Sequence, residues 1–396
     1  MLQTYRRVLA HPGAVAFSSS GFLGRLPMSM IGLGIVLQVS AQSGSYSLAG
    51  SVSAAYVLAN AVVAIVQGRL IDHFGQHRML SAAITVSAIS IALMAWAVEA
   101  DWTVPLPHVF AALAGASMPP VGSCVRARWS HLLDDEQELH TAFSLEAVVD
   151  ESCFVLGPTV VTLLATSWHP VAGLATATLA GLVGTLSLAS QRRTEPPAGR
   201  HSVVEGPRSA LPWRTLAPLT GAIFALGVLF GSAEVVTVAV SEDLGHKALA
   251  GVLLALWAFG SLLSGLISGA IVWKSSMTRR LQVGMMALTV LMVPMVVIGT
   301  FWLLAPVLFL AGFAISPTLI ATMSLAEHVL PRPRLTEGMS VLQTGIAAGV
   351  ALGAALAGVV IDELGSSTAY LVTVGGGVLG ALFGVLLPAE RERPPS

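Results

Sequence analysis

Ionisable side chains inside apolar segments are the residues of this sequence that could do chemistry. A charged side chain near the middle of a membrane helix costs about 2.5–3.5 kcal/mol on insertion scales, so such residues usually have a function. Five of them lie within long apolar stretches: Arg25, Glu146, Asp150, Glu151 and Glu234. A low-dielectric environment favours the protonated form of a carboxyl group, whereas a nearby guanidinium favours the ionised form. This set therefore predicts a carboxyl group that gains and loses a proton as an arginine moves.

Arg25 and the acids of the fifth apolar segment are the leading candidates for such a pair. We expect Arg25 to pair with Asp150 or Glu151, and one of these acids to carry a proton as the protein changes conformation. Glu151 is turned by about 100° from Asp150 on a helix of 3.6 residues per turn, so the two acids face different neighbours. Glu234 is a further candidate in the seventh segment. The alternative is a permanent ion pair that only fixes the register of two helices.

The other charged or reactive side chains in these stretches have simpler interpretations. Glu146 is expected to extend toward water from the inner end of its helix. Arg126 and Arg128 are expected to be interfacial anchors first and functional residues second. Cys124 and Cys153 are two isolated thiols, which provide neither a disulfide framework nor metal-ligand spacing. We therefore expect no metal and no cofactor.

The composition places these residues in a membrane protein. Of 396 residues, 55% are hydrophobic and only 10% are charged, and the mean hydropathy is +0.79. A soluble domain carries roughly 25% charged residues because its surface faces water. The net charge of −1 provides no basic field for nucleic acid. The short basic lead at the N-terminus has no small-residue cleavage site and predicts a retained first helix.

Long apolar segments predict twelve transmembrane helices, since about 20 residues cross a hydrocarbon layer of about 30 Å. The predicted spans are 15–39, 47–68, 79–98, 106–126, 141–167, 170–190, 215–240, 247–273, 281–299, 301–323, 338–361 and 368–387. With the N-terminus inside, every Lys and Arg except Arg25 and Lys247 falls on the cytoplasmic side, as the positive-inside rule requires. The opposite loops carry acids, among them Asp362 and Glu363. Both termini are therefore predicted to be cytoplasmic.

A polar segment at residues 191–213 divides the spans into two sets of six. Its Pro, Gly, Arg and Glu residues, with no apolar face, predict a cytoplasmic linker. We therefore predict an all-α membrane protein of two pseudo-symmetric six-helix bundles, residues 1–190 and 214–396, the second with a short cytoplasmic tail. The triplet Leu-Ala-Gly occurs at 113–115 and again at 310–312, about half the chain apart. Parallel repeats of this kind occur in transporters.

Prolines and glycines in these spans predict bends and close helix contacts. Pro119, Pro120 and Pro317 take matching places in spans four and ten, where each removes a backbone hydrogen bond. Small residues at four-residue spacing, such as Gly349 and Gly353 in span eleven, let helix backbones approach closely. We expect this spacing to serve either sliding contact between the two bundles or static helix packing.

The loop after span two, residues 68–80, has a distinctive pattern of Gly, Asp and Arg. Gly68 and Gly75 permit a tight reversal and a close approach of two helix ends. Asp72 is placed to cap the N-terminus of a neighbouring helix, which carries partial positive charge. Arg78 is placed to pair with an acid or with a carbonyl end. The spacing therefore predicts a loop that joins neighbouring helix ends.

This loop resembles the signature loop of the major facilitator superfamily, a pattern of Gly-x-Leu-Ala-Asp-Arg-x-Gly-Arg-Arg/Lys. The resemblance implies the family's two-bundle fold and a role for the loop, through Asp72 and Arg78, in latching the two halves together in the outward-facing state. His73, Gln76 and His77 replace basic residues of the family pattern. These departures predict a weaker or pH-sensitive latch.

Gly157 and Pro158 in span five resemble the centre of the antiporter motif of drug–proton exporters, Gly-x-x-x-Gly-Pro-x-x-Gly-Gly. Cys153, Val161 and Thr162 stand where that motif has glycines. The resemblance favours export in exchange for a proton. The alternative is a proline kink with small residues for helix packing.

The sequence predicts a transporter and not an enzyme, because it contains no Walker motif, no H-E-x-x-H and no nucleophile elbow. No polar segment is long enough for the nucleotide-binding domain of a primary pump. We therefore predict a monomeric, multi-pass protein of the inner (cytoplasmic) membrane that moves a small molecule by alternating access. Proton-coupled efflux by antiport is the leading interpretation. An uncoupled facilitator and a proton-symport importer of a small polar metabolite are the alternatives.

Overall fold

The structure is a computed structural model that describes residues 2–198, 212–270, 275–330 and 335–387. The described residues form α-helices joined by short connections, with no β-strand among them. The helices before the polar midpoint are α1 (Leu2–Leu9), α2 (Ala14–Arg25), α3 (Pro27–Ser43), α4 (Tyr46–Phe74), α5 (Gln76–Glu99), α6 (Pro105–Ser117), α7 (Val121–Leu132), α8 (Glu136–Ser167) and α9 (Pro170–Ser190).

The part of the chain after the midpoint is also helical. Its helices are α10 (Trp213–Asp243), α11 (Ala250–Ala270), α12 (Met277–Met292), α13 (Phe301–Gly312), α14 (Ile315–Val329), α15 (Leu335–Leu364) and α16 (Ser366–Val385). Short 3-10 helices lie at Arg192–Thr194, Lys247–Leu249 and Val293–Val296.

The described residues contain 12 helices long and apolar enough to cross a membrane, which confirms the predicted number of spans. Three of these spans consist of two consecutive α-helices: α2 with α3, α6 with α7, and α13 with α14. Some helices extend beyond the apolar segments that predict them. Span five, for example, begins at Glu136 because the side chain of Asp135 caps it by accepting a hydrogen bond from the backbone amide of Glu138 at 2.8 Å. The cytoplasmic position of both termini stays a prediction.

Contacts divide the chain into two compact units. The first contains Met1–Gly44 and Ala55–Val203, and the second contains Ser45–Ala54 and Val204–Ser396. The start of α4 is therefore grouped with the second unit, although the same helix continues in the first. The predicted linker at 191–213 stays a prediction, since its residues 199–211 lie outside the described residues.

Prolines coincide with the interruptions in two of the spans. Span one breaks at Leu26, directly before Pro27, which has no amide hydrogen and begins α3. Span four breaks between α6 and α7 at Pro119 and Pro120, as predicted. Span ten also breaks, between α13 and α14, but Pro317 itself lies in the first turn of α14, where a missing amide hydrogen is tolerated.

The glycines of span eleven pack α15 onto α10 within the second unit. A Cβ atom on Gly349 would lie 2.0 Å from the carbonyl oxygen of Phe224, and one on Gly353 would lie 2.2 Å from that of Val228. No other residue permits this approach of two backbones. Of the two interpretations of this spacing, the structure supports static helix packing.

Candidate functional site

Four charged side chains form a cluster in the first unit: Arg25, Arg126, Glu146 and Asp150. Arg25 is the last residue of α2, where its Nε donates to the carbonyl of Gly21 at 3.0 Å. Arg126 belongs to α7, and both acids belong to α8. Three helices therefore meet at this group, which we call the ionic cluster.

Asp150 bridges the two arginines of the ionic cluster. Its Oδ1 lies 2.7 Å from Nη1 of Arg25, and its Oδ2 lies 2.5 Å from Nη2 of Arg126. Arg25 is also paired, through Nη2, with Oε2 of Glu146. Two positive and two negative charges thus balance, which offsets part of the cost of placing them within membrane spans.

Glu146 is completely buried, and the expectation that it extends toward water is wrong. Besides Arg25, its carboxylate accepts hydrogen bonds from Nε1 of Trp129 at 2.8 Å and from Oγ of Ser18 at 3.2 Å. The ring of Phe17 packs edge-on against Trp129, with ring centroids 4.6 Å apart. The side chains of α2 and α7 therefore cover Glu146 and satisfy its charge.

Asp150 differs from Glu146 in its exposure. The side chain of Asp150 is 24% exposed and that of Arg126 is 37% exposed, whereas that of Arg25 is 3% exposed. The ionic cluster therefore has a closed side at Glu146 and an open side at Asp150 and Arg126.

The other two predicted acids lie outside the ionic cluster. Glu151 follows Asp150 on α8 and is partly exposed, whereas the partners of Arg25 are the carboxylates of Glu146 and Asp150. Glu234 lies on α10 in the second unit, is partly exposed, and forms no hydrogen bond or ion pair with another described residue. A proton-carrying role for any of these acids stays a prediction.

Gly157 marks a close contact between α8 and α3. A Cβ atom at this position would lie 2.1 Å from Oγ of Ser29. The same hydroxyl donates a hydrogen bond to the carbonyl of Cys153 at 2.7 Å, and α8 continues without a break through Pro158. Helix packing therefore accounts for the glycine, and the antiporter role of this pair stays a prediction.

Arg128 is fully buried, so its interpretation as an interfacial anchor is wrong. Its Nε donates to Oε1 of Gln76 at 2.8 Å, and its Nη1 donates to the carbonyl of Gln191 at 2.8 Å and to Oγ1 of Thr194 at 2.9 Å. Arg126 also has a protein partner, because it forms an ion pair with Asp150. A count of charges along the sequence cannot separate these roles, because an anchor and a buried arginine lie at the same place in a span.

The signature loop keeps a glycine where its backbone requires one. Gly75 has a φ of +88°, which L side chains rarely adopt. A Cβ atom on Gly68, by contrast, would meet nothing within 4 Å. Asp72 and Arg78 are exposed and form no hydrogen bond or ion pair with another described residue, so the expected helix cap is not formed within this part of the chain. The latch role of these four residues stays a prediction.

Glu195, and not Asp72, caps the start of α5, whose first turn lies within the signature loop. Its Oε1 accepts a hydrogen bond from the backbone amide of His77 at 3.0 Å and lies 3.0 Å from Nδ1 of the same residue. Burial raises the pKa of Glu195, but the hydrogen bonds from His77 and the charge of Arg128 outweigh burial and hold this pKa below its ordinary value. No pattern near the loop indicates this partner, because Glu195 lies beyond span six, 118 residues further along the chain than His77.

Comparison with known proteins identifies the family. The model for the Major Facilitator Superfamily matches residues 17–300 and 219–396. The chain therefore belongs to this superfamily, and it is a transporter rather than an enzyme. No curated protein matches the chain.

Solved transporter structures share this fold at low sequence identity. The nucleoside transporter NupG is 13% identical with a TM-score of 0.71, and the alignment covers 95% of this chain and 99% of that chain. A D-xylose-proton symporter is 15% identical with a TM-score of 0.69, covering 93% and 97%. The human organic anion transporter MFSD10 is 15% identical with a TM-score of 0.64, covering 94% and 99%. At these identities the similarity establishes the fold.

Proposed function

We propose that this chain is an efflux transporter that exchanges a small molecule for protons through Asp150. The observation that supports this best is the position of Asp150 between Arg25 and Arg126 on the open side of the ionic cluster. Ionised Asp150 holds both guanidinium groups. Protonated Asp150 loses most of its attraction for them and leaves the cluster with an uncompensated positive charge.

That charge imbalance supplies the coupling between protons and conformation. A guanidinium group that has lost its ion-pair partner is more stable in water than beside a second cation, so protonation of Asp150 favours a conformation in which an arginine has moved away from it. Arg126 is the arginine that moves, because it is the more exposed of the two. Loss of the proton restores the attraction and the original conformation.

Glu146 is not the proton carrier in this proposal. Arg25, Trp129 and Ser18 all donate to its carboxylate, so its oxygen atoms are already occupied by donors of the protein. Its complete burial also separates it from any source of protons. We propose that Glu146 holds Arg25 in place throughout the cycle, so that only the open side of the ionic cluster responds to protons.

The direction of transport follows from weaker observations. The resemblance of Gly157 and Pro158 to an antiporter motif favours export. The carboxylate of Glu234 has no hydrogen-bond or ion-pair partner among the described residues and therefore suits a polar or charged substrate. The distribution of Lys and Arg supports the cytoplasmic membrane with both termini inside. Import by proton symport is the second candidate, because a D-xylose-proton symporter shares the fold.

A transport assay tests this proposal. A substrate is first identified by comparing drug resistance and accumulation in cells with and without the protein. The same compound is then assayed in proteoliposomes with an imposed pH gradient. Antiport predicts uphill movement of the compound against the direction of proton flow, and a proton ionophore should abolish it. Movement with the protons would indicate symport, and downhill flux unaffected by the ionophore would indicate an uncoupled facilitator.

A further inference from the structure

α10 is buried along most of its length, and two of its side chains are partly open. Of residues 225–241, all are buried except Phe230 and Glu234. These two residues lie four positions apart and therefore share one face of the helix. A carboxylate that faced lipid at this depth would be unfavourable. The exposure of this face therefore indicates space for a polar partner beside Glu234.

The described helices of the second unit supply no Lys or Arg to pair with Glu234. Helices α11, α13, α14, α15 and α16 contain neither residue type, and Arg214 lies in the first turn of α10. The arginines of α12 lie in its first turn, and Lys247 is paired with Glu242 at 2.8 Å. Glu234 also forms no hydrogen bond or ion pair with another described residue. A cationic ligand would supply the charge that balances this carboxylate.

Trp257 of α11 adds an aromatic ring and a hydrogen-bond donor next to this face. Its ring packs edge-on against that of Phe230, with ring centroids 5.5 Å apart. Trp257 is 8% exposed, and its Nε1 is buried without a hydrogen-bond partner among the described residues. A buried indole N–H usually has an acceptor, because its loss of water is otherwise uncompensated. The missing acceptor therefore indicates a ligand atom with a lone pair.

Close packing of α11 against α13 holds Trp257 in position. A Cβ atom on Gly312 of α13 would lie 2.2 Å from the carbonyl oxygen of Trp257, and one on Gly260 of α11 would lie 2.2 Å from that of Phe309. The two backbones therefore touch one another directly beside Trp257. The indole is thus positioned by packed helices rather than by a loop, as a selective binding site requires.

We propose that Phe230, Glu234 and Trp257 bind the transported substrate, and that this substrate is an organic cation with an apolar body and a hydrogen-bond acceptor. The carboxylate of Glu234 pairs with the cationic group, and the two aromatic rings contribute cation–π attraction and apolar contact. The indole N–H of Trp257 donates to the acceptor. An anion would be repelled by Glu234. The assignment rests on the proposed transport function, but not on the direction of transport or on proton coupling.

Equilibrium binding to the purified protein tests this site without any transport. The probe is benzoylcholine, which carries a trimethylammonium group, an ester carbonyl and a phenyl ring. Its comparison is the neutral benzoate ester of the same shape, in which a tert-butyl group replaces the trimethylammonium group. Benzoylcholine should bind roughly tenfold more tightly, because only the cation pairs with Glu234. No measurable binding of benzoylcholine, or equal affinities for the two esters, would overturn the proposal.

Glu234→Gln keeps the shape of the side chain and removes its charge. It should weaken the binding of benzoylcholine roughly tenfold and leave the affinity for the neutral ester unchanged. Glu363→Gln is the matched control, because Glu363 is an exposed acid of the same unit and has no hydrogen bond or ion pair with another described residue. The control should leave both affinities unchanged. An equal effect of Glu234→Gln on the two esters, or no effect, would overturn the proposal.

Trp257→Phe removes the indole N–H and keeps an aromatic ring. It should weaken the binding of benzoylcholine about fivefold, because the ester carbonyl loses its donor. Phe259→Leu is the control on the same helix, because Phe259 is 41% exposed and faces away from Trp257. It should leave the affinity unchanged. Full affinity in Trp257→Phe, or an equal loss in both variants, would refute the role of the indole.

The substrate site and the proton exchange can fail separately. Binding with the predicted effects of the variants, but without uphill movement in a pH gradient, would support the site and refute the exchange. Uphill transport of another compound that is insensitive to Glu234→Gln and to competition by benzoylcholine would support the exchange and refute the site.

Discussion

Replacing Glu146 with Gln removes one charge from the ionic cluster while keeping the length and shape of the side chain. The amide oxygen still accepts a hydrogen bond from Trp129 or Ser18, but Arg25 loses one of its two carboxylates. Removal of one partner from a buried ion pair costs about 3–5 kcal/mol. Because Arg25 keeps Asp150 at 2.7 Å, we expect the lower end of this range, about 3 kcal/mol.

Asp150→Asn is the matched perturbation on the open side of the ionic cluster. It removes the same charge from the same helix, but Asp150 and Arg126 are 24% and 37% exposed. Water then screens the charge of Arg126, which has lost its carboxylate partner. We therefore expect the free energy of unfolding to fall by about 1 kcal/mol. The prediction is therefore an order of stabilities: the parent chain, then Asp150→Asn, then Glu146→Gln.

Thermal unfolding of the three purified proteins in the same detergent measures this order. The midpoint for Glu146→Gln should lie well below that for Asp150→Asn, which should lie slightly below that of the parent. Equal midpoints for the two variants, or a lower one for Asp150→Asn, would refute the division of the ionic cluster into a closed and an open side.

Gly157→Ala should lower the free energy of unfolding by about 2 kcal/mol, because the new methyl group overlaps Oγ of Ser29. Gly68→Ala should be neutral or slightly stabilising, because a Cβ atom at that position meets nothing within 4 Å. Thermal unfolding of both variants checks this contrast. Arg128→Met should lower the free energy of unfolding by about 3 kcal/mol or more, because the buried oxygen atoms of Gln76, Gln191 and Thr194 lose their donor. Unchanged expression and an unchanged unfolding midpoint would contradict the importance of these hydrogen bonds. The pKa of Glu195 is held below its ordinary value in the folded state, so its carboxylate stabilises the fold at neutral pH and this contribution disappears as pH falls through the lowered pKa. The parent should therefore lose stability on acidification more steeply than Glu195→Gln, and parallel curves would contradict that prediction.

The number of membrane spans could be predicted from the sequence because each span is recognised by the mean hydropathy of about 20 residues. An error of several residues at the end of a span leaves the count of twelve unchanged. The breaks at Pro119 and Pro120 were also accessible, because proline acts through its own missing amide hydrogen. Gly75 was recognised for a local reason as well, namely the backbone conformation that its loop requires.

The partners of the charged residues were harder to predict, because they come from distant parts of the chain. The position of Glu146 near one end of its span predicts contact with water, but Trp129 and Ser18 from two other helices enclose it. Arg128 differs from its expected role for the same reason, because its partners Gln76 and Gln191 come from distant parts of the chain.

The most direct test of proton coupling compares two kinds of transport in proteoliposomes with Asp150→Asn. One assay measures uphill movement of the substrate driven by a pH gradient, and the other measures exchange of labelled for unlabelled substrate without a gradient. Glu151→Gln on the same helix is the control. The account predicts that Asp150→Asn abolishes uphill movement and retains exchange, while Glu151→Gln retains both. Undiminished uphill movement in Asp150→Asn would contradict the assignment of Asp150 as the proton carrier.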